Sequence, residues 1–173
     1  MGSRLAFCQL VCSELIFIGQ KARRDPIISH YFRPHYFLQQ PTNNGGYFIK
    51  VSLSNTIWRR IKIQGTESVD TLAVAILNAF NFDDEHLYEF RYTDNFGITQ
   101  VIADPRCEEP LNACEINIGD IDILPGDLIE FLYDFGDNWK FKVQIEKIDP
   151  ELKIKKPTII EREGKAPRQY SYY

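Results

Sequence analysis

The segment Leu128–Ile148, LIEFLYDFGDNWKFKVQIEKI, restricts the fold more than any other part of the chain. Two apolar runs meet at Gly136-Asp137-Asn138. In the second run Trp139, Phe141, Val143 and Ile145 alternate with Lys140, Lys142, Gln144 and Glu146. A period of two sends successive side chains to opposite faces of a sheet, so this strand has one buried and one wet face. The turn residues between the runs make the pair a β-hairpin.

The other elements follow from similar local signals. Tyr47, Ile49, Val51 and Leu53 alternate as a strand, Asn55-Thr56 turns the chain, and Ile57–Ile63 returns as its hairpin partner. Asp70 fits a helix N-cap, its carboxylate accepting from the unpaired amides of the first turn. Thr71–Phe80 then repeats Leu72, Ile76 and Phe80 at four-residue steps, with Ala73 and Leu77 widening the apolar stripe. Asn81 suits a left-handed cap. Strands are expected at Leu87–Tyr92 and Ile98–Ile102, around a turn at Asp94–Gly97. Residues 104–117 are irregular and acidic, and Pro125-Gly126 fits the centre of a type II turn. Asp149-Pro150 closes the long hairpin, and a last extended piece starts at Lys156-Pro157 and runs through Glu161. The order hairpin, helix, strands, hairpin, tail predicts an α+β class. The expected arrangement is a mainly antiparallel sheet with one principal helix packed on a face, with a β-grasp-like flavour.

Residues 1–46 read as a separate extension, and 47–173 as the domain. Leu5–Ile18 is largely apolar and has a passing likeness to a signal peptide, but Glu14 interrupts it, and a short helix is expected instead. His30 and His35 lie among aromatics without a third ligand nearby, so packing is the expectation there. Thr42–Gly46 is a flexible break. Apolar residues make up 44% of the 173-residue chain, enough for a real core, so the chain is globular. Cys8, Cys12, Cys107 and Cys114 lack the tight C-x2-C spacing of structural zinc sites and are expected to be ordinary reduced thiols. No apolar run reaches the ~20 residues of a membrane span. The cytoplasm, no membrane and no cofactor are the expectations. A net charge of −4 argues against a general binder of nucleic acid. From Trp139 onward, however, nine basic residues face five acidic ones, so a local patch is available.

Three phrases recur as a set: IWRRIKI at 57–63, LNAFNFDDEHLYEF at 77–90 and LYDFGDNWKFKVQIEKI at 132–148, followed by GKAPRQY at 164–170. In this order they resemble the plasmid pRiA4b open-reading-frame-three-like family, which includes TnpR-type passenger proteins of bacterial insertion elements. The resemblance covers Tyr47 to Tyr170. It implies an α+β domain and a cytoplasmic setting, and it implies no settled activity. Asn81 and Phe82 stand where members often carry glycine and tryptophan, and Phe141 where many carry histidine. That last departure weakens any proposal that makes the usual histidine catalytic.

The motif residues divide between structural and chemical roles. Trp58, Tyr133, Phe135 and Trp139 offer large apolar surfaces, each worth about 2–3 kcal/mol on full burial. Gly136 is expected to give the turn backbone freedom, and Asp134, Asp137 and Asn138 to cap it through their side chains. Arg59 and Arg60 point to opposite faces of a strand, so an inward one needs a carboxylate such as Asp134 or Asp137. As a chemical alternative, His86, Asp134 and Asp137, with Asp83 and Asp84, would converge on a divalent ion, or His86 and one aspartate would form a general base and its orienting partner. The spacing fits no metal motif, so no metal is expected. No phosphate loop, nucleophile elbow or zinc-protease helix is present. The third reading is contact with nucleic acid or protein through Arg59, Arg60, Lys140, Lys142 and Lys147, joined by Lys153, Lys155 and Lys156 in one basic strip. A non-enzymatic binding or accessory module of mobile elements is the first expectation, and a small metal-dependent or acid–base enzyme the second. The sequence names neither a partner nor an oligomeric state.

Overall fold

The computed structural model describes residues 44–170, apart from positions 95 and 108. The expectations for the extension, its helix and its histidines lie outside the described residues. Seven strands form one sheet: β1 (Gly46–Ser52), β2 (Trp58–Gln64), β3 (Tyr88–Thr93), β4 (Thr99–Ala103), β5 (Leu128–Tyr133), β6 (Trp139–Asp149) and β7 (Thr158–Glu163). Their order is β4-β3-β5-β6-β1-β2-β7. Every neighbouring pair is antiparallel. The helix α1 (Val69–Phe80) links β2 to β3.

This corrects the expected fold class. Helix accounts for 12% and strand for 41% of the described residues, so the domain is an open, mostly-β sheet with a single short helix, and not an α+β or β-grasp-like fold. The difference has a physical cause. The segment after Pro157, read as a last extended piece, pairs with β2 as a full strand, matching Ile61 to Ile159 and Arg60 to Glu161.

The long hairpin is present as β5 and β6, with Phe131 opposite Phe141 and Tyr133 opposite Trp139. Its alternation sets the two faces of the whole sheet. Tyr47, Ile49 and Val51 on β1, Phe131 and Tyr133 on β5, and Phe141, Val143 and Ile145 on β6 are all buried on the inner face. There they meet Leu72, Ala73, Ile76 and Phe80 of α1. Aromatic rings fill the centre: Phe80 and Phe141 lie 5.0 Å apart edge to face, and Phe90 and Phe131 lie 4.5 Å apart. Such pairs add about 0.5–1.5 kcal/mol each beyond the area they bury.

Ser68, rather than Asp70, caps α1, its Oγ accepting from the Thr71 amide at 3.1 Å. Asp70 sits within the first turn and accepts instead from Tyr88 Oη at 2.6 Å. Asn81 adopts the left-handed cap expected of it, at φ 59° and ψ 41°. The Pro125-Gly126 turn also forms, with Gly126 at φ 100° and the Asp127 amide bonded to Leu124 O at 3.0 Å.

Candidate functional site

Two places combine chemistry-bearing residues. The first lies where the loop after α1 meets the β5–β6 turn and the C-terminal segment. Asp83 is its hub. Tyr170 Oη donates to Asp83 Oδ2 at 2.7 Å, and Gln169 Nε2 and Tyr133 Oη donate to Oδ1 at 2.8 and 2.9 Å. Partial burial alone would raise the Asp83 pKa, but the hydrogen bonds from Tyr170, Gln169 and Tyr133 outweigh it and bring it down to about 2. The Tyr133 hydroxyl is pushed up to about 12, by burial first and then by its bond to Asp83. From the other side Arg106, paired with buried Asp104 at 2.6 Å, donates to His86 O at 2.7 Å. A four-residue acidic loop is thereby held by three separate segments of the chain.

His86 and Asp134 are brought together, with Nε2 3.6 Å from Asp134 Oδ2 and 3.1 Å from Tyr170 Oη. Because the Tyr170 hydroxyl hydrogen is committed to Asp83, its oxygen accepts, and the hydrogen-bond network assigns the imidazole hydrogen to Nε2. Nδ1 is then an acceptor with no partner among the described residues. Asp134 also has a second task. Its Oδ1 accepts from the amides of Gly136 and Asp137 at 2.9 and 3.3 Å, closing the turn. Asp137 does not join the group: it is exposed, and its carboxylate has no partner among the described residues. Asp84 is exposed as well. No group of three or more potential metal ligands exists among the described residues.

Several motif residues have other roles than expected. The left-handed positions in the β5–β6 turn are Asp134 at φ 56° and Asn138 at φ 58°, not Gly136. At Gly136 a Cβ would come 3.2 Å from the Asp134 Oδ1 that caps the turn, a tight contact to which the carboxylate would have to give by a few tenths of an ångström. Tyr133 is buried in the core. Trp139 packs on Phe82 at 4.9 Å, and Phe135 is exposed. Phe141 is wholly buried against Phe80, inside the core.

Arg59 is the inward arginine, and no carboxylate among the described residues meets it. It donates to three main-chain carbonyls: Ala79 O at 3.0 Å, and Trp58 O and Glu163 O at 2.7 Å. Burial, and then the nearby Arg162 charge, lower its pKa. It ties the end of α1 to β2 and β7, and its burial removes it from any contact surface.

The second place is the outer face of the sheet, which α1 leaves uncovered. Lys50, Lys62, Lys140 and Lys142 stand on it, and none has a carboxylate ion-pair partner among the described residues. Arg60 and Lys147, expected as contact residues, are already engaged. Arg60 bonds Glu146 at 2.5 and 2.9 Å and also pairs with Glu161. Lys147 pairs with Asp149 at 3.0 Å. Trp58 lies among the cations, with Lys50 Nζ 4.6 Å and Arg60 Cζ 5.2 Å from its ring centre. A groove of about 410 Å³ runs past Ser52, Leu53, Leu128, Lys140 and Lys142. It shares Ser52, Leu53 and Lys142 with a neighbouring depression of about 350 Å³ that reaches Lys50. Leu152 and Ile154 pack beside Gly46, which pairs with Asp149 at the far end of β6 from Lys142. Lys156 lies two residues before Thr158, the partner of Lys62 on β2. Trp58 and the lysines of β1 and β2 were missed as a set because their neighbourhood comes from strand order, which no local pattern reveals.

The family model for the plasmid pRiA4b ORF-3-like protein matches residues 46–169. An uncharacterized protein, y4hQ, of Sinorhizobium fredii (strain NBRC 101917 / NGR234) is 27% identical over 124 residues. The match covers 69% of this chain and 62% of that protein's length. The crystal structure of a protein of unknown function, MM3350 from Methanosarcina mazei Go1, superposes with a TM-score of 0.62 at 28% identity, covering 72% of each chain. No helix among the described residues is long and apolar enough to cross a membrane.

Proposed function

The chain belongs to the plasmid pRiA4b ORF-3-like family, and on that footing we propose that its domain is a binding or accessory module that takes an anionic partner on the open face of the sheet. The observation that carries this is the set of four lysines, Lys50, Lys62, Lys140 and Lys142, which have no carboxylate ion pairs among the described residues and stand on the sheet face opposite α1. On the same face, Arg60 is neutralised by Glu146 and Glu161, and Lys147 by Asp149. The unmatched charges favour an anion from outside and steer its approach. The association with mobile elements is part of this reading. Retention on immobilised heparin tests it. The Lys140→Glu/Lys142→Glu variant is expected to elute at clearly lower salt than wild type, and equal elution sinks the proposal.

A second reading rests on the His86–Asp134 distance of 3.6 Å. Tyr170 Oη orients the imidazole through Nε2 with the Asp134 carboxylate nearby, and the lone pair left on Nδ1 is what a general base needs. Hydrolysis of p-nitrophenyl esters and phosphates by wild type and by His86→Gln tests it. Equal rates would remove it.

A further inference from the structure

The open face discriminates among anions by its shape and by what lies between its charges. The four lysines fall on one diagonal. Lys140 and Lys142 are two residues apart on β6. Gln144, the next outward residue, pairs with Lys50 on β1, and Phe48 on β1 pairs with Lys62 on β2. Three two-residue steps carry this line about 20 Å along the strands. It crosses three strands and passes the Arg60–Glu146 ion pair, which reaches across β1 between Lys50 and Lys62, while Glu130 faces Lys142 from β5. Trp58 stands beside the line, opposite Ser52, its ring partly buried with Lys50 Nζ and Arg60 Cζ over it at 4.6 and 5.2 Å from the centre. Phe48 lies on the same face, 5.4 Å from Lys147 Nζ.

A line of cations flanked by flat aromatic surfaces suits a chain of phosphates that carries planar groups at its side. A flexible acidic peptide offers the charge but has no ring to place on Trp58. Duplex nucleic acid keeps its bases stacked inward, and reading it calls for an element that enters a groove. The domain's one helix is packed against the opposite face. Unpaired bases, by contrast, stack on exposed aromatics across a sheet face while the backbone tracks the positive charges.

We infer that the open face binds single-stranded nucleic acid, the phosphates following Lys140, Lys142, Lys50 and Lys62 and a base stacking on Trp58. This rests on the reading of that face as an anion-binding surface. The test uses the full chain and fluorescence anisotropy with a labelled oligo-dT strand, the same sequence as a duplex, and polyglutamate as competitors. The single strand is expected to bind most tightly, with log affinity falling against log salt at a slope of about −3 for four phosphate contacts. Trp58→Ala is expected to weaken it about tenfold, and Trp58→Tyr, which keeps a stacking ring, to restore most of the loss. Equal binding of duplex or polyglutamate, or a Trp58→Ala variant that binds as wild type, overturns the inference and leaves the anion-binding module standing. Failure of every polyanion to bind at low salt overturns both.

Discussion

Asp83 holds its charge where two segments 86 residues apart meet, for Gln169 donates to its carboxylate and takes its amide hydrogen in return. The carboxyl has a pKa of about 2 in the folded domain against 3.8 when unperturbed, so the folded state binds fewer protons between those values. The stability this gives is complete above about pH 4 and is lost as pH falls through about 2. Asp83→Asn is therefore expected to lower the urea midpoint at pH 6, and its gap from wild type to narrow steadily between pH 4 and pH 2. A gap independent of pH contradicts that account. Arg59 makes a different point. Replacing it with methionine leaves the carbonyls of Ala79, Trp58 and Glu163 short of a donor and is expected to cost about 2–3 kcal/mol in chemical denaturation. Neither role was legible in the sequence. Arg59 signalled only that one of two adjacent arginines must face inward, and its partners are backbone atoms up to 104 positions away.

At the scale of elements, the local rules succeeded where neighbours in sequence are neighbours in space. The β5–β6 hairpin, the strands flanking α1 and the Asn81 cap were legible because alternation, four-residue spacing and left-handed tolerance are properties of short windows. The rules failed where two residues compete for one task. Ser68 and Asp70 both suit a helix start, and Asp70 is drawn away by the hydroxyl of Tyr88, a strand residue 18 positions on. Ser68→Ala is accordingly expected to cost about 1 kcal/mol on thermal unfolding. Asp70→Asn is expected to act mainly through the Tyr88 contact, so that in Tyr88→Phe it has almost no further effect; independent, additive losses would refute the coupling. β7 shows the same limit in another form. TIIERE reads only as an extended piece without a partner, because a strand at the edge of an open sheet buries little of either face and its pattern carries no apolar alternation.

For the molecule as a whole, strand order dominates. β1 pairs with β6 and β2 with β7, so the first hairpin finds its sheet neighbours only near the end of the chain. Pairings of such long range predict refolding in milliseconds to seconds, slower than a helical domain of this size, and stopped-flow fluorescence of Trp58 and Trp139 reads it. The strand order was beyond the reach of the sequence, since alternation reveals which face of a strand is buried and not which strand lies beside it. The β5–β6 hairpin has a further consequence. It stands between β3 and β1, so the β3–β4 and β1–β2 hairpins, both encoded earlier in the chain, share a sheet only through it. A break in the loop between β4 and β5 would therefore yield two pieces that interleave rather than two half-sheets that stack. Mixed together, they should reassemble as a split protein, each supplying the strands that the other's gap requires.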